Sequence, residues 1–278
     1  MKVAVVVMGL LREAAARRWF LALGIGVTLM LAVIASALRI EVIDGALAAS
    51  TLFGGVLSND IRAVDVALRP VFMGASYVVF YGGLAFGILA CADFAPALLT
   101  PGRIEHLLAQ PIRRWELLAG TYVGVWLLAT LAATYGAGGF ALILGLKTGV
   151  WSLGPVIAGV LASVAFVAIY GVMLVTATFA RSAALSAFVG TLFFLAGIFS
   201  GYRETVARAF EAGWGRRVFG AFMLPFPRIS TLADAAGGIA GAAGIGDGAA
   251  FVRIVAGIAV FGVGALAVAV WQVERKDF

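Results

Sequence analysis

Six stretches of this sequence, each near the length needed to cross a membrane core, lack any Asp, Glu, Lys, Arg or His: Trp19 to Leu38, Val71 to Ala90, Leu117 to Leu144, Trp151 to Ala180, Ala183 to Tyr202 and Ile254 to Trp271. A hydrocarbon layer takes about 20 apolar residues of helix at 1.5 Å rise each. None of the six alternates with period two as a barrel strand does, so helix is the conformation that satisfies each backbone without water. Composition points the same way: 63% of residues are hydrophobic, 12% are charged and mean hydropathy is +1.08, whereas a soluble domain carries about 25% charged residues. The sequence predicts an all-α polytopic membrane protein of six transmembrane helices, one domain over 1–278.

Ahead of the first run stands MKVAVVVMGLLREAAARR. Lys2 and the Ala14 to Ala16 triplet give it the outline of a signal peptide, but Arg12 and Glu13 interrupt the junction and a full span follows at once. The favoured reading is an amphipathic interfacial helix with Val5, Met8, Leu11 and Ala15 in lipid and Arg12, Arg17 and Arg18 toward phosphates.

Basic residues set the orientation. A cytoplasmic N-terminus puts Lys2, Arg12, Arg17, Arg18, Arg103, Arg113, Arg114, Arg181, Arg275 and Lys276 inside. Long loops translocate largely regardless of charge, so 203–253 is set aside, leaving Arg39, Arg62, Arg69 and Lys147 outside. Ten against four predicts cytoplasmic termini. The outer loops are then 39–70 and 203–253. In the second, Arg203 to Ala212 and the stretch through Val218, Phe219, Phe222 and Met223 read either as short interfacial helices broken at Pro225 or as surface loops with some hydrophobic anchoring, with Gly237 to Gly248 as a Gly/Ala-rich connector.

Several chemistries lack their residues. A single cysteine, Cys91, forms no internal disulfide, and one histidine builds none of the usual metal sites. GFALILGLKTG lacks the Gly-Lys-Thr order of a phosphate-cradling loop, so no ATP hydrolysis is expected from this chain. The serine in GIFSGY has no histidine on a neighbouring span to act as base. No run carries the ionisable group that ion-coupled carriers use, so energy for uphill transport would have to enter from outside the membrane. Gly83 with Gly87, Gly120 with Gly124, and Gly197 with Gly201 are small-xxx-small pairs suited to close helix contact, including contact with a second copy.

The most polar segment between spans is TPGRIEHLLAQPIRRWELLAG, Thr100 to Gly120. Thr100 suits an N-cap and Pro101 a first helical residue, while Pro111 ends the helix. Ile104, Leu107 and Leu108 share one face, and Arg103, Glu105 and His106 point elsewhere. A second start follows at Pro111, with Arg113 and Arg114 for lipid phosphates and Trp115 at headgroup level. An exposed apolar face on a short anchored helix is expected to dock into a partner; the plainer alternative is a lipid-buried re-entry loop.

This segment resembles the cytoplasmic loop between the second and third helices of ABC-2 type transporter permeases, through Gly102, Glu105, Leu107, Leu108, Pro111, Ile112, Arg114 and Gly120. The closing VERKDF is similar to the basic-Asp-Phe tail common in that family, and the six-helix layout agrees; Thr121 stands where many members carry lysine. The resemblance implies an export permease in a bacterial cytoplasmic membrane. It would pair with a second permease copy or similar chain, and with a separate ATPase subunit that binds ATP and magnesium. It also implies that Pro101, Gly102, Arg103, Ile104, Glu105, His106, Leu107, Leu108, Pro111, Arg113 and Arg114 form the partner-binding coupling segment. No cofactor on this chain, no catalytic residue and no nucleic acid are expected. The alternative is a non-transporting membrane scaffold that binds a cytoplasmic protein through 100–116.

Overall fold

The computed structural model describes residues 2–16, 18–43, 46–52, 55–58, 62–109, 112–208, 213–244 and 246–275. Helix α1 (Lys2–Ala16) is followed by α2 (Arg18–Ala37) and then by an antiparallel ribbon of β1 (Leu38–Ile43), β2 (Ala46–Leu52), β3 (Gly55–Ser58) and β4 (Arg62–Ala63). β2 lies between β1 on one side and β3 with β4 on the other, Leu38 opposite Leu52 and Ala46 opposite Ala63. The rest is helical: α3 (Val64–Cys91), α4 (Phe94–Leu98), α5 (Arg103–Leu108), α6 (Arg114–Thr148), α7 (Gly154–Ala180), α8 (Ala183–Gly201), α9 (Arg203–Arg208), α10 (Trp214–Met223), α11 (Ile229–Ala240) and α12 (Gly248–Glu274).

Five stretches among the described residues are long and apolar enough to cross a membrane: Leu68–Leu98, which joins α3 to α4, and α6, α7, α8 and α12. The span expected from Trp19 falls in α2, where the apolar stretch is the shorter Gly24–Ala37. Helix boundaries differ from the charge-free runs because charge does not stop a helix. α3 continues across Pro70, in its second turn, where the missing N–H costs one bond to the Val66 carbonyl. α12 begins at Gly248, where the Asp247 carboxylate accepts the Ala249 N–H at 2.9 Å.

α7 is the centre of the bundle, packed by α3, α6, α8, α11 and α12. Ala158, Ala165, Ala168, Ile169, Leu174 and Ala177 along it are fully buried, so its small residues let neighbours approach from several sides. α6 is also stitched to it by polar groups. The Tyr122 hydroxyl donates to the Val167 carbonyl at 2.6 Å, and Trp126 Nε1 donates to the Ser163 carbonyl at 3.1 Å. Donors and acceptors are each one helical turn apart, so the two bonds run side by side.

The three small-residue pairs serve contacts within the chain. A Cβ at Gly87 would lie 3.1 Å from the Phe166 ring, and one at Gly120 or Gly124 would meet Val6 at 2.6 Å or Leu10 at 3.3 Å. Gly197 and Gly201 receive Ile229 and Ser230. Gly83, the remaining member, meets only Ala162, at 4.0 Å.

α1 is amphipathic as expected, and of the four residues expected to face lipid only Leu11 turns to the core. Val6, Leu10 and Ala14 pack inward, Leu11 joins the core edge, and Val5, Met8 and Ala15 are exposed. Residue 17 and the Arg18 side chain lie outside the described set.

The second long loop is more structured than expected. α9 and α10 form, and the chain breaks around Pro225. α11, however, occupies part of the expected connector and inserts among α3, α7 and α8, with Ile229, Leu232, Ala233 and Ala236 fully buried. Its alanines and glycines, which suggest a loose linker in isolation, permit that insertion: a Cβ at Gly237 would sit 2.9 Å from the Tyr77 ring.

Candidate functional site

The polar segment folds at the end of the bundle where α3 stops, α6 starts and α12 ends. α4 buries Phe94, Ala95, Pro96 and Leu98 and fixes the approach. The Thr100 hydroxyl then donates backward to the Ala97 carbonyl at 2.9 Å, so it does not cap α5. Gly102 occupies the N-cap position with φ 80, a conformation a side chain disfavours, and α5 begins at Arg103 rather than Pro101. The expected Thr100 cap and Pro101 start are thus replaced by a glycine turn.

α5 also presents the opposite face from the one expected outward. Ile104 is 2% exposed, and Leu107 is half-buried against the core. What faces out is Pro101, Gly102, Glu105 and Ala109. Helical spacing correctly groups Ile104 with Leu107, but the bundle supplies the apolar surface that receives them. The side chains of His106 and Leu108, and residues 110–111 with Pro111, lie outside the described set.

Arg103 reaches across to α1. Its Nη1 donates to Glu13 Oε1 at 3.1 Å and its Nη2 to Glu13 Oε2, a two-pronged pair with both side chains partly exposed. Glu13, which sequence reasoning used only as an interruption of a leader, is therefore part of the site. Its signal was its place one turn from Leu10, the residue that seats α1 against Gly124. A cavity of about 300 Å³ opens beneath this pair, lined by Gly9, Leu10, Phe94, Leu98, Leu107 and Ile112 among others.

Beyond α5 the two arginines part company. Arg113 is exposed and extended, its backbone N–H held by Glu116 Oε2 at 2.8 Å, which starts α6. Arg114 turns inward, and its Nη1 donates to the Val273 carbonyl at 3.0 Å at the end of α12. A cation there satisfies carbonyls that the helix leaves open and lies at the favourable pole of its dipole. Arg113 remains available to a phosphate or partner, while Arg114 joins α6 to α12. On the last turn of α12, Arg275 lies 4.1 Å from the Trp271 ring centre.

The site therefore joins four pieces of chain: α1 by an ion pair, α5 by its buried face, α6 by direct continuation and α12 by Arg114. Among the described residues, no group of three or more His, Cys, Asp or Glu side chains is placed to hold a metal ion. No protein-family model and no curated protein matches this chain.

Proposed function

We propose that this chain is the permease subunit of an ATP-binding cassette exporter, with the 100–116 segment as the knob that a separate ATPase grips. The observation that carries the reading is the mounting of α5. Ile104 is buried and Arg103 is paired to Glu13, while Pro101 and Gly102 ahead of α5 and Glu105 within it face outward, and α6 follows next in the chain. A transmission element has to be stiff toward its own bundle and accessible to its partner, and these residues divide in that way. A push on α5 reaches α6 along the chain and α12 through Arg114.

In this reading α2 is the first of six spans, followed by α3, α6, α7, α8 and α12, with both termini and α5 in the cytoplasm of a bacterial inner membrane. ATP and magnesium belong to the partner ATPase, and a second permease copy or similar chain completes the pathway. Because the outward residues are Pro101, Gly102 and Glu105, the charge at Glu105 is the natural point to test.

The experiment is co-expression with a Walker-motif ATPase encoded beside this gene, followed by extraction, co-purification and ATP turnover. Retention of the ATPase, lost in Glu105→Arg with membrane insertion intact, is expected. Retention unaffected by Glu105→Arg overturns the docking surface. A bound partner without permease-dependent ATP turnover would favour the scaffold alternative.

A further inference from the structure

Asp234 is the only charged residue between Arg228 and Asp247, set in a helix of small and apolar residues. α11 buries Leu232, Ala233 and Ala236 completely but leaves Asp234 exposed among tyrosines. The Tyr77 hydroxyl donates to Asp234 Oδ1 at 3.0 Å, and the Tyr202 hydroxyl donates to the same oxygen at 3.3 Å. Tyr81, one turn along α3, shares a hydrogen bond with Tyr202. Its ring lies within 8° of parallel to that of Tyr77, with centres 6.3 Å apart.

The carboxylate is held in place but its charge is unanswered. Gly237, three residues on, lets α11 seat against the Tyr77 ring and so fixes where Asp234 points. Tyr77 and Tyr81 both belong to the Leu68–Leu98 stretch that is long and apolar enough to cross a membrane. No Lys or Arg among the described residues forms an ion pair with Asp234. Asp234 is exposed, so a cation from outside can reach the carboxylate, and phenol donors supply only part of a countercharge.

The donor set distinguishes between kinds of cation. A small metal ion wants several oxygen ligands, whereas this cluster has one carboxylate and hydroxyls already committed to it or to each other. An ammonium with carbon substituents takes attraction from aromatic faces as well as from the acid. We propose that Asp234, Tyr77, Tyr81 and Tyr202 form a binding site for an organic ammonium group, borne by the molecule the permease exports. The assignment of that group to the cargo rests on the transporter reading; the site itself does not.

The test uses the full chain in maltoside micelles without any ATPase, titrated with choline and with 3,3-dimethylbutan-1-ol, its uncharged counterpart of the same shape, and read by ligand-observed NMR. Saturable choline binding with no saturable binding of the alcohol is expected. Affinity should fall at least tenfold in Asp234→Asn and at least threefold in Tyr81→Leu, while Tyr77→Phe, which keeps the ring, should lose less. Equal binding of the two wild-type ligands overturns the site without recourse to any variant, as does undiminished choline affinity in a folded Asp234→Asn protein. Displacement of choline by equimolar sodium or calcium overturns the organic assignment. Dihexanoylphosphatidylcholine displacing choline at a lower concentration upholds the site and points to a lipid source, and weaker displacement upholds it with a soluble one. If choline binds but no ammonium compound alters ATP turnover in the assembled complex, the cargo assignment fails and the site stands.

Discussion

Arg103 and Glu13, 90 residues apart in the chain, meet in a two-pronged ion pair that ties α5 to α1. Both side chains are partly exposed, at 40% and 32%, so water screens the pair and its net contribution is small, about 0.5 kcal/mol. Its value is positional. Arg103→Glu should raise the labelling rate of a cysteine placed at Leu10, on the packed face of α1, and the exchanged pair Arg103→Glu with Glu13→Arg should restore it. Equal labelling in single and exchanged variants would show that α1 is held by packing alone.

That packing has its own test. A Cβ at Gly120 would come within 2.6 Å of Val6, whereas one at Gly264 would meet nothing within 4 Å. Gly120→Ala should lift α1 and cost about 1–3 kcal/mol through overpacking, measured as a lower midpoint of thermal unfolding in detergent. Gly264→Ala is expected to leave the midpoint unchanged.

Two buried tyrosines should respond oppositely to loss of the hydroxyl. Tyr122 donates to Val167, and Tyr122→Phe should destabilise by about 1 kcal/mol. Tyr170 is 1% exposed and its hydroxyl has no hydrogen-bond partner among the described residues. Tyr170→Phe removes a polar group that gains nothing, and is expected to be neutral or stabilising. Paired thermal melts decide it.

Gly102 has φ 80 and ψ −46, a sparsely populated region that costs other residues about 1–3 kcal/mol. Gly102→Ala and Gly102→Asn should both shift the start of α5 and weaken ATPase retention, because ψ −46 lies outside the left-handed helical region that asparagine tolerates. Co-purification yield against Glu105→Arg gives the scale.

Topology can be read by labelling. Single cysteines at Glu105 and Gly244, both exposed, should react from opposite sides of intact cells, with Glu105 reached from the cytoplasm. Reaction of both from one side would overturn the six-span arrangement.

Helical membrane architecture was legible because absence of charge over a span's length is a property of local sequence. The N-terminal helix was legible for a similar reason, since amphipathicity needs only one helix. What failed needed partners. α11, twelve residues long, is too short to register as a span, and its Ala/Gly content acquires meaning only beside Tyr77 and Met73. In α5 the period fixed which side chains are neighbours, while the direction they face depended on a surface built from distant segments. Thr100 had the right chemistry for a cap, but Gly102 had the backbone freedom the turn required, and geometry decided.

α6, 35 residues long, spans roughly 50 Å, well beyond a hydrocarbon core of about 30 Å. Near its start Gly120 and Gly124 seat α1; farther along Gly139 seats Leu31, Tyr135 shares a hydrogen bond with Thr28, and Lys147 holds the Leu38 carbonyl. α1 and α2 thus hang from α6 like an outrigger from its beam. Because α1 is held at the α5 end of α6 and α2 farther along it, any tilt of α6 carries both helices with it.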